Sequence, residues 1–438
     1  MAGTRVVTVQ DAAIFLYLLL IPLGWSPFPW NLQWADLVFV GLFLTLCATR
    51  QLKPWSVRPV DLVMGLYLVG SLASFLRTSD VHQSALEFLK QVSLVGVYFV
   101  FGTIGSHPRT CQNILVWYAG IATLLATVTL LAFLAHLAWG ISVSWVGDPS
   151  SIPVLGRLVR MKGTLHSPAL LCNYLTVALP LVIGLAADPH RPGGLRTSWW
   201  WVALPILVVV ALSTVTSSVV GFLAAGLVSL WGLLASTRFQ RVLRAWLAAA
   251  IVGLAIVVNL MMLVSVRHVT WSSGTNPQIS APPYVYAFQD HDAGAQELTI
   301  QITYNPMSYY LLKRVAVEAF RRAPLTGVGV GTFPMETERA YQQGKLHVPY
   351  RAMDPHSTWF GRAAEAGLIG LGGLMLLVGA VGWMARRVSV RPSAGWITRA
   401  FAAGCVGLLV NSLNVDILNF RFLWMALGLL RGHDDRSA

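Results

Sequence analysis

The stretch 355–360, Pro-His-Ser-Thr-Trp-Phe, marks the point at which a long polar segment gives way to an apolar helix, and Gly-Leu-Ile-Gly follows inside that helix at 367–370. His356 is therefore predicted to lie at the surface of a membrane. The polar segment before it is basic, so the pattern favours chemistry on a lipid-bound anionic substrate over passage of a solute.

The composition indicates a polytopic membrane protein. Apolar residues make up 55% of the 438 residues, charged residues only 11%, and the mean hydropathy is +0.63, far from the globular balance. A spanning helix needs ~20 mostly apolar residues, and about twelve segments approach that length. They are residues 12–29, 33–49, 60–76, 85–105, 114–138, 166–187, 199–214, 217–235, 245–265, 363–385, 400–414 and 417–430. The predicted fold class is all-α integral membrane.

The distribution of Lys and Arg gives the expected orientation, because cytoplasmic loops of membrane proteins are enriched in these residues. If the N-terminus is cytoplasmic, alternate loops carry basic clusters such as 50–58 and 386–399, whereas the short loops on the other side hold little beyond Arg77. We therefore expect both termini in the cytoplasm and the two longest connections, residues 139–165 and 266–362, on the outer face.

These two connections are nevertheless basic, and long loops are translocated regardless of charge. Their cations are Arg157, Arg160, Lys162, Arg267, Lys313, Arg314, Arg321, Arg322, Arg339, Lys345, Arg351 and Arg362. The sequence argues against nucleic acid as a partner, because the cations are dispersed and no recognition module surrounds them. A lipid-linked diphosphate suits them better, since arginine can hold phosphate oxygens through two parallel hydrogen bonds and cations stabilise charge on a leaving group.

The large connection 266–362 has internal order. Residues 297–304 alternate in polarity and predict one strand or half of a hairpin. Residues 308–322 have helical spacing, and Pro324 stops the helix. Its apolar face comprises Leu312, Val315, Ala319 and Phe320, and its charged residues are Lys313, Arg314, Glu318, Arg321 and Arg322. Such an amphipathic helix would lie along the membrane surface or pack onto the helical bundle.

Three glycines follow the amphipathic helix, at Gly327, Gly329 and Gly331. A dinucleotide-binding loop would need a surrounding βαβ unit, which the pattern does not predict. We therefore interpret the glycines as residues that permit a tight chain path.

Charged residues within the apolar segments are costly and tend to face the interior of a bundle. Glu87 and Lys90 lie three residues apart on one predicted helix, and Asp416 and Arg421 flank Asn419 in the last hairpin. We expect each set to form a pair that ties helices together. Alternatively, Lys90 or Arg421 lines a substrate cavity.

The order of these segments is similar to that of a known family. The amphipathic helix is followed by Pro-Leu-Thr-Gly-Val-Gly-Val-Gly-Thr-Phe at 324–333, a polar stretch, Pro-His-Ser at 355–357, and an outgoing helix that begins Ala-Glu-Ala-Gly-Leu-Ile-Gly at 364–370. Upstream, residues 160–168 are Arg-Met-Lys-Gly-Thr-Leu-His-Ser-Pro. Over most of the chain, this succession resembles the O-antigen ligase and polymerase superfamily.

The resemblance implies a metal-independent, inverting, GT-C-like glycosyltransferase without a cofactor, in the inner membrane of a Gram-negative bacterium. It implies an undecaprenyl-diphosphate-linked O-antigen as donor, the lipid A core of lipopolysaccharide as acceptor, and contact with membrane lipids. The implied organisation is transmembrane helices 1–9 in residues 1–265, a large periplasmic loop with the active-site elements in 266–362, and helices 10–12 with a cytoplasmic C-terminus in 363–438.

The resemblance also implies that His356 is the catalytic residue. A neutral imidazole can accept the proton of an incoming sugar hydroxyl, and its reference pKa of ~6.5 leaves it largely neutral at periplasmic pH. From the residues alone, a histidine that simply caps the re-entering helix is an equally good interpretation.

Two positions depart from the family pattern. Ser357 stands where the family often has Asn, and Val219 stands where the family often has an Arg that binds phosphate. We therefore expect other cations to bind the diphosphate. The candidates are Arg160 and Arg314, then Lys313, Arg321 and Arg322, although each could instead contact lipid headgroups or solvent.

Alternative functions remain open at this stage. Within the superfamily these are an O-antigen polymerase and a protein O-oligosaccharyltransferase, which would share the donor and differ in the acceptor. The alternative outside the enzyme class is a lipid-linked glycan transporter or flippase. Transporters often show internal repeats, and no convincing repeat is visible in the sequence.

Overall fold

The computed structural model describes residues 9–24, 32–50, 57–141, 144–152, 156–187, 203–210, 221–226, 228, 264–273, 285–288, 298–306, 308–346, 353–390 and 396–435. Over these residues the protein is mostly helical, with two small antiparallel sheets. The statements below concern this part of the chain.

The first half of the chain is a series of apolar helices. They are α1 (Val9–Leu20), α2 (Trp34–Ala48), α3 (Pro59–Ala73), α4 (Val81–Gly105), α5 (Pro108–Trp139) and α6 (Pro168–Ala187), with further helical residues at 203–210 and 221–226. Polar side chains begin these helices: Asp36 accepts the N–H of Gln33 at 2.8 Å, and Asp80 accepts that of Gln83 at 2.9 Å. Gly140 ends α5 with a left-handed φ of 64°.

The second half contains the longer polar segment and three more apolar helices. In chain order they are β3 (Val264–Ser273), β4 (Val285–Phe288), β5 (Leu298–Pro306), α7 (Ser308–Arg322), α8 (Phe333–Gln342), α9 (Thr358–Val390), α10 (Trp396–Asn411) and α11 (Arg421–Asp435). The helix predicted over 308–322 is thus confirmed at both ends. Helix α8 was not predicted; it has only ten residues, and they lie in the stretch that was expected to be polar.

Both sheets are antiparallel. The first is a hairpin of β1 (Val146–Ile152) and β2 (Gly156–Met161), and the second has the strand order β3-β5-β4. Strand β5 confirms the strand predicted over residues 297–304. The β1–β2 hairpin lies in the connection 139–165, where no strand was predicted.

Five described helices are long and apolar enough to cross a membrane. They are Pro59–Leu76, Val81–Gly105, Pro108–Trp139, Pro168–Leu185 and Thr358–Arg387. These coincide with the predicted spans 60–76, 85–105, 114–138, 166–187 and 363–385. Shorter apolar helices at Val9–Leu20, Trp34–Ala48 and Thr398–Asn411 overlap the predictions at 12–29, 33–49 and 400–414. The first of these predictions is too long, because the helix ends at Leu20 and residues 21–24 are not helical. These are the features of a mostly helical, multi-pass membrane protein.

The remaining predicted spans have different outcomes. Those at 199–214 and 217–235 are helical where the structure describes them, at 203–210, 221–226 and 228, and the span at 245–265 lies outside the described residues except for 264–265, which belong to β3. The span predicted at 417–430 is displaced, because residues 412–420 form a turn and α11 begins only at Arg421. Helix α9 begins earlier than predicted, at Thr358, because the Ser357 hydroxyl caps its first turn.

The bundle is held together by close helix pairs, with α9 packed on α3, α10 on α6 and α11 on α4. At the first of these contacts, a Cβ on Gly70 would lie only 2.8 Å from the Cα of Gly370. Small residues allow such approach between membrane helices. Large apolar side chains are exposed on α2, α3, α5 and α9, as expected for lipid contact; they include Leu44, Leu62, Leu124, Leu131, Met375 and Leu376.

Helix α11 carries a paired arginine near each end. Arg421 donates from Nε and Nη2 to the two carboxylate oxygens of Asp36, at 2.6 and 2.5 Å. Arg431 makes the same fork with Asp61, with both distances 2.8 Å. The expectation that Arg421 pairs within the last hairpin, beside Asp416, is therefore wrong: its partner lies on α2, and the pair ties two helices distant in sequence.

Helix α7 packs onto the bundle through its predicted apolar face. Leu312, Val315 and Ala319 are buried, and the contact includes Phe333 of α8 and Ala364 of α9. Of the two placements considered for this helix, packing against other helices is the one observed.

Several connections meet at one end of the bundle. The Thr164 hydroxyl donates to the Pro22 carbonyl at 2.6 Å, which joins the segment after α5 to the segment after α1. Val330 N–H donates to the Ser74 hydroxyl at 3.1 Å, which joins the segment before α8 to the end of α3. We call this end of the bundle the site end.

Candidate active site

The segment that carries His356 is strained and tightly anchored. His356 has a φ of 49°, in the left-handed region, which costs a non-glycine residue of order 1–3 kcal/mol unless its surroundings impose it. The next residue, Ser357, is fully buried; its hydroxyl accepts the N–H of Phe360 and its carbonyl accepts that of Gly361. The start of α9 therefore fixes the backbone on which the imidazole is carried.

The start of α9 is docked on the turn 412–420. Thr358 donates its N–H to the Ser412 carbonyl and its hydroxyl to the Val415 carbonyl, both at 3.0 Å. The Trp359 indole N–H donates to the Ser412 hydroxyl at 2.8 Å. Two segments about sixty residues apart in sequence thus form one rigid junction beside His356.

Helix α7 contributes a cation to the same junction. The Lys313 ammonium donates to the Asn414 side-chain oxygen at 2.8 Å and lies 5.5 Å from the centroid of the Phe360 ring. Burial lowers the pKa of Lys313 from its usual value. Helices α7 and α9 and the turn before α11 therefore converge around one partly buried cation.

His356 has the electrostatic properties of a base. Burial lowers the pKa of the His356 imidazole below 6.5; the Lys313 charge lowers it further and the Asp354 carboxylate opposes the shift. The imidazolium is disfavoured because it loses solvation and faces another cation. The imidazole is accordingly neutral at pH 7 and can accept a proton.

Asp416 adds a carboxylate to the junction. It accepts the Asn419 side-chain N–H at 2.7 Å and the Leu418 N–H at 3.2 Å, and the Thr358 hydroxyl lies 3.4 Å from it. Burial raises the pKa of Asp416 to about 6, and the charge of Asp354 adds to the rise. Asp416 fixes the shape of the turn that supports the start of α9.

A cavity of about 240 Å³ opens at the site end, next to this junction. Its walls are Ile21, Gln33, Lys90, Leu165, His166, Leu170, Asn419, Phe420, Arg421 and Phe422. Both intramembrane cations singled out from the sequence thus line the same space. Lys90 also contacts Glu87 at 3.3 Å, which confirms the predicted pair.

The glycine-rich turn holds α7 and α8 against α9. Val328 and Gly329 donate their N–H groups to the carbonyls of Ala364 and Glu365, both at 3.0 Å, where α9 is kinked by a positive φ of 62° at Gly367. Gly327 has a φ of 73°, and a Cβ there would collide with the backbone of Glu365. The interpretation of these glycines as residues of a tight chain path is confirmed.

The other cations of α7 have a different environment from Lys313. Arg314 is exposed and lies 3.7 Å from Glu318, and Arg322 pairs with Glu336 of α8. Arg321 and Arg322 line a groove of about 330 Å³ between α7 and α8, together with Arg339 and Lys345. Of the predicted diphosphate ligands on α7, Lys313 is the one whose described contacts join it to the His356 junction.

Arg160 lies at the end of β2 and is half-buried. Its Nε is buried and has no hydrogen-bond partner among the described residues. Its neighbours Lys162 and Gly163 are held by the Trp145 carbonyl, at 3.1 and 3.0 Å. Val219, the other position that bears on diphosphate binding, lies outside the described residues.

Arg362 is a residue whose role the sequence did not reveal. It was counted among the cations of the outer loop, but it is only 4% exposed. Its guanidinium donates to the Tyr67 carbonyl at 2.8 Å and the Ser71 hydroxyl at 2.5 Å, and it stacks 4.3 Å from the Tyr67 ring centroid. Arg362 therefore anchors the first turns of α9 inside the bundle. The feature of the sequence that could have indicated this role is its position six residues after His356.

The fold and the site together define a multi-pass helical membrane protein with a neutral histidine, a cation and a cavity lined by polar and apolar side chains at one end of its bundle. Residues 201–375 match the family model described as O-antigen ligase. The match includes α7, α8, the glycine-rich turn and His356, and it supports an O-antigen ligase-family assignment. No curated protein matches the chain.

Proposed function

We propose that the protein is an O-antigen ligase that transfers O-antigen polysaccharide from undecaprenyl diphosphate to a sugar of the lipid A core. The observation that carries the proposal is a His356 of lowered pKa beside Lys313, at the junction of α7, α9 and the turn 412–420. This junction lies within or next to the segment that matches the family.

In the proposed reaction, His356 takes the proton of an acceptor hydroxyl. The hydroxyl oxygen attacks the anomeric carbon of the donor, the bond from that carbon to the diphosphate oxygen breaks, and undecaprenyl diphosphate leaves with the electron pair. Attack from the side opposite the leaving group inverts the anomeric configuration. General base catalysis of this kind contributes roughly 10²–10⁴-fold to a rate.

The leaving diphosphate needs cations, and the proposal assigns them to side chains and not to a metal ion. Lys313 is the favoured candidate, because it is partly buried and adjacent to His356. Arg160 is the next, since its buried Nε has an unused donor. Arg314, Arg321 and Arg322 are less favoured, because none of their described contacts joins them to the His356 junction.

The proposal includes the expected topology. The site end would face the periplasm, with transmembrane helices 1–9 in residues 1–265, the large periplasmic loop in 266–362 and helices 10–12 in 363–438. The connections after α1, α3 and α5 meet at the site end, which supports alternate crossings by the helices between them.

The test is transfer by purified His356→Ala protein, assayed with lipid-linked O-antigen and rough lipopolysaccharide. We expect a loss of about 10²–10⁴-fold, with an unchanged melting temperature. The matched control is His107→Ala, which removes an exposed histidine between α4 and α5. Full activity of His356→Ala would overturn the assigned role.

The lipopolysaccharide of a deletion strain separates the alternative functions. A bare core, with long polymer retained on undecaprenyl diphosphate, is the result expected for a ligase. A core with a single repeat would indicate a polymerase, and unglycosylated proteins with normal lipopolysaccharide would indicate a protein O-oligosaccharyltransferase. Transfer by the purified protein, without any second membrane component, would exclude a flippase.

A further inference from the structure

The wall of the cavity beside the His356 junction is half apolar and half polar, and its polar side chains share one kind of chemistry. Its polar residues are Gln33, Lys90, His166, Asn419 and Arg421. Each of these side chains can donate a hydrogen bond. The carboxylates that pair with the two cations, Glu87 and Asp36, are not among the residues that line the cavity. From this wall we infer that the cavity binds a phosphate-bearing headgroup, separately from any contact that Lys313 makes.

The donors of the wall come from four separate parts of the chain. Gln33 lies at the start of α2, Lys90 within α4, and His166 just before α6. Asn419 lies in the turn before α11, and Arg421 is the first residue of that helix. A set of donors assembled from four segments is fixed by the packing of the whole bundle, so the cavity is preformed.

Arg421 is held ready for a ligand by its pair with Asp36. The pair uses Nε and Nη2 of the guanidinium, so the donors of Nη1 lie outside it. The side chain is 13% exposed, which is enough to reach a cavity and too little for free movement. Such a fixed arginine loses little conformational entropy when it binds phosphate oxygens.

Lys90 supplies the second cation and is less restrained. Its ammonium lies 3.3 and 3.4 Å from the two oxygens of Glu87, longer than a strong charge-assisted bond, and the side chain is 31% exposed. It can therefore turn towards an anion in the cavity. Lys90 and Arg421 approach from different helices, as two cations around one phosphate group require.

The cavity connects directly to the junction that holds His356. Asn419 lines the cavity and donates to Asp416, which lies beside Thr358 at the start of α9. The volume of about 240 Å³ is below the roughly 300–1,000 Å³ of pockets for drug-sized ligands. A headgroup fits this space better than a polysaccharide, and a glycan attached to that headgroup would extend towards the junction.

Two substrates of the proposed reaction carry phosphate. One is the diphosphate of the lipid-linked donor, and the other is a phosphate on the lipopolysaccharide acceptor. The inference concerns the chemistry they share, and only the identity of the bound lipid rests on the proposed function.

The first experiment measures binding of inorganic pyrophosphate to the full-length protein in nanodiscs. A charge-assisted hydrogen bond contributes about 1.5–3 kcal/mol, so Lys90→Met should lower the affinity roughly ten- to hundredfold. The isosteric variant Gln33→Glu, which adds a negative charge to the wall, should lower it as well. The control Arg109→Met removes an exposed cation in the first turn of α5 and should leave the affinity unchanged.

An unchanged pyrophosphate affinity in both Lys90→Met and Gln33→Glu would overturn the inference. So would an equal loss in Arg109→Met, because it would indicate a general charge effect. Should Lys90→Met fail to fold, Gln33→Glu alone decides, since it preserves the volume of the side chain.

The second experiment identifies the source of the phosphate through steady-state transfer by Lys90→Met. A raised KM for the lipid-linked donor assigns the cavity to the diphosphate, and a raised KM for lipopolysaccharide assigns it to the acceptor. Unchanged values of both contradict the inference. Failure of the proposed function is seen separately, as full activity of His356→Ala, and does not change the pyrophosphate result.

Discussion

The two ends of helix α11 present the same ion pair in two environments. Arg421 and Asp36 are 13% and 17% exposed and form part of the wall of a cavity. Arg431 and Asp61 are 5% and 7% exposed, and the Tyr98 hydroxyl donates to the same carboxylate at 2.8 Å. Both pairs have nearly the same bidentate geometry.

The comparison shows that geometry alone does not assign a role to a buried ion pair. The Arg431 pair is closed on all sides and connects α11 to α3 and α4, so its role is structural. The Arg421 pair also connects helices, but it leaves guanidinium donors at a cavity. We therefore expect changes at Arg431 to affect stability, and changes at Arg421 to affect ligand binding as well.

The largest expected effect is that of Arg431→Ala. Removing one partner of a buried pair leaves an uncompensated charge and costs about 3–5 kcal/mol. Thermal unfolding in detergent should show a strong fall in melting temperature. The double variant Arg431→Met with Asp61→Leu removes both charges and should recover most of the loss; if the single variant melts like the parent protein, the pair is not structural.

Arg421→Lys should have a smaller effect on stability and an additional effect on binding. Lysine keeps the charge but cannot make the two parallel bonds to Asp36, so we expect a loss of ~1–2 kcal/mol and a weaker affinity for pyrophosphate. Arg431→Lys is the matched comparison, with a similar or larger loss of stability and an unchanged affinity. Equal pyrophosphate affinities in the two variants would remove the distinction between the two ends of α11.

The sequence predicted the features that depend on neighbouring residues. The apolar face of α7, the alternation of β5 and the contact of Glu87 with Lys90 are all set by local spacing, and all three are confirmed. Helix α8 was missed because its residues are mostly polar and its apolar side is completed by α7 and α9.

Contacts across the bundle could not be predicted in this way. Arg421 finds Asp36 and Lys313 finds Asn414 over sequence separations of 385 and 101 residues, and spacing along a helix carries no information about either. For the same reason Arg362 was assigned to a loop surface when it is buried against Tyr67. Candidate residues at the site were therefore recognisable one at a time, whereas their grouping required the fold.

The central claim is that His356 is the base in glycosyl transfer, and the pH dependence of kcat tests it most directly. Only the neutral imidazole accepts a proton, so the rate should fall as the pH drops through the pKa of His356, which burial holds below 6.5. The two charges that face the imidazole shift this fall in rate, the acid limb of the pH profile, in opposite directions. Lys313 lowers the pKa and Asp354 raises it.

We therefore predict that Lys313→Met moves the acid limb of the profile to higher pH, because a charge that disfavours the imidazolium is lost. Asp354→Asn should move the limb to lower pH, because a charge that favours the imidazolium is lost. Each shift is measured from the position of the limb, independently of the maximal rate. An acid limb at the same pH in the parent protein and both variants would contradict the assignment of His356 as the titrating base.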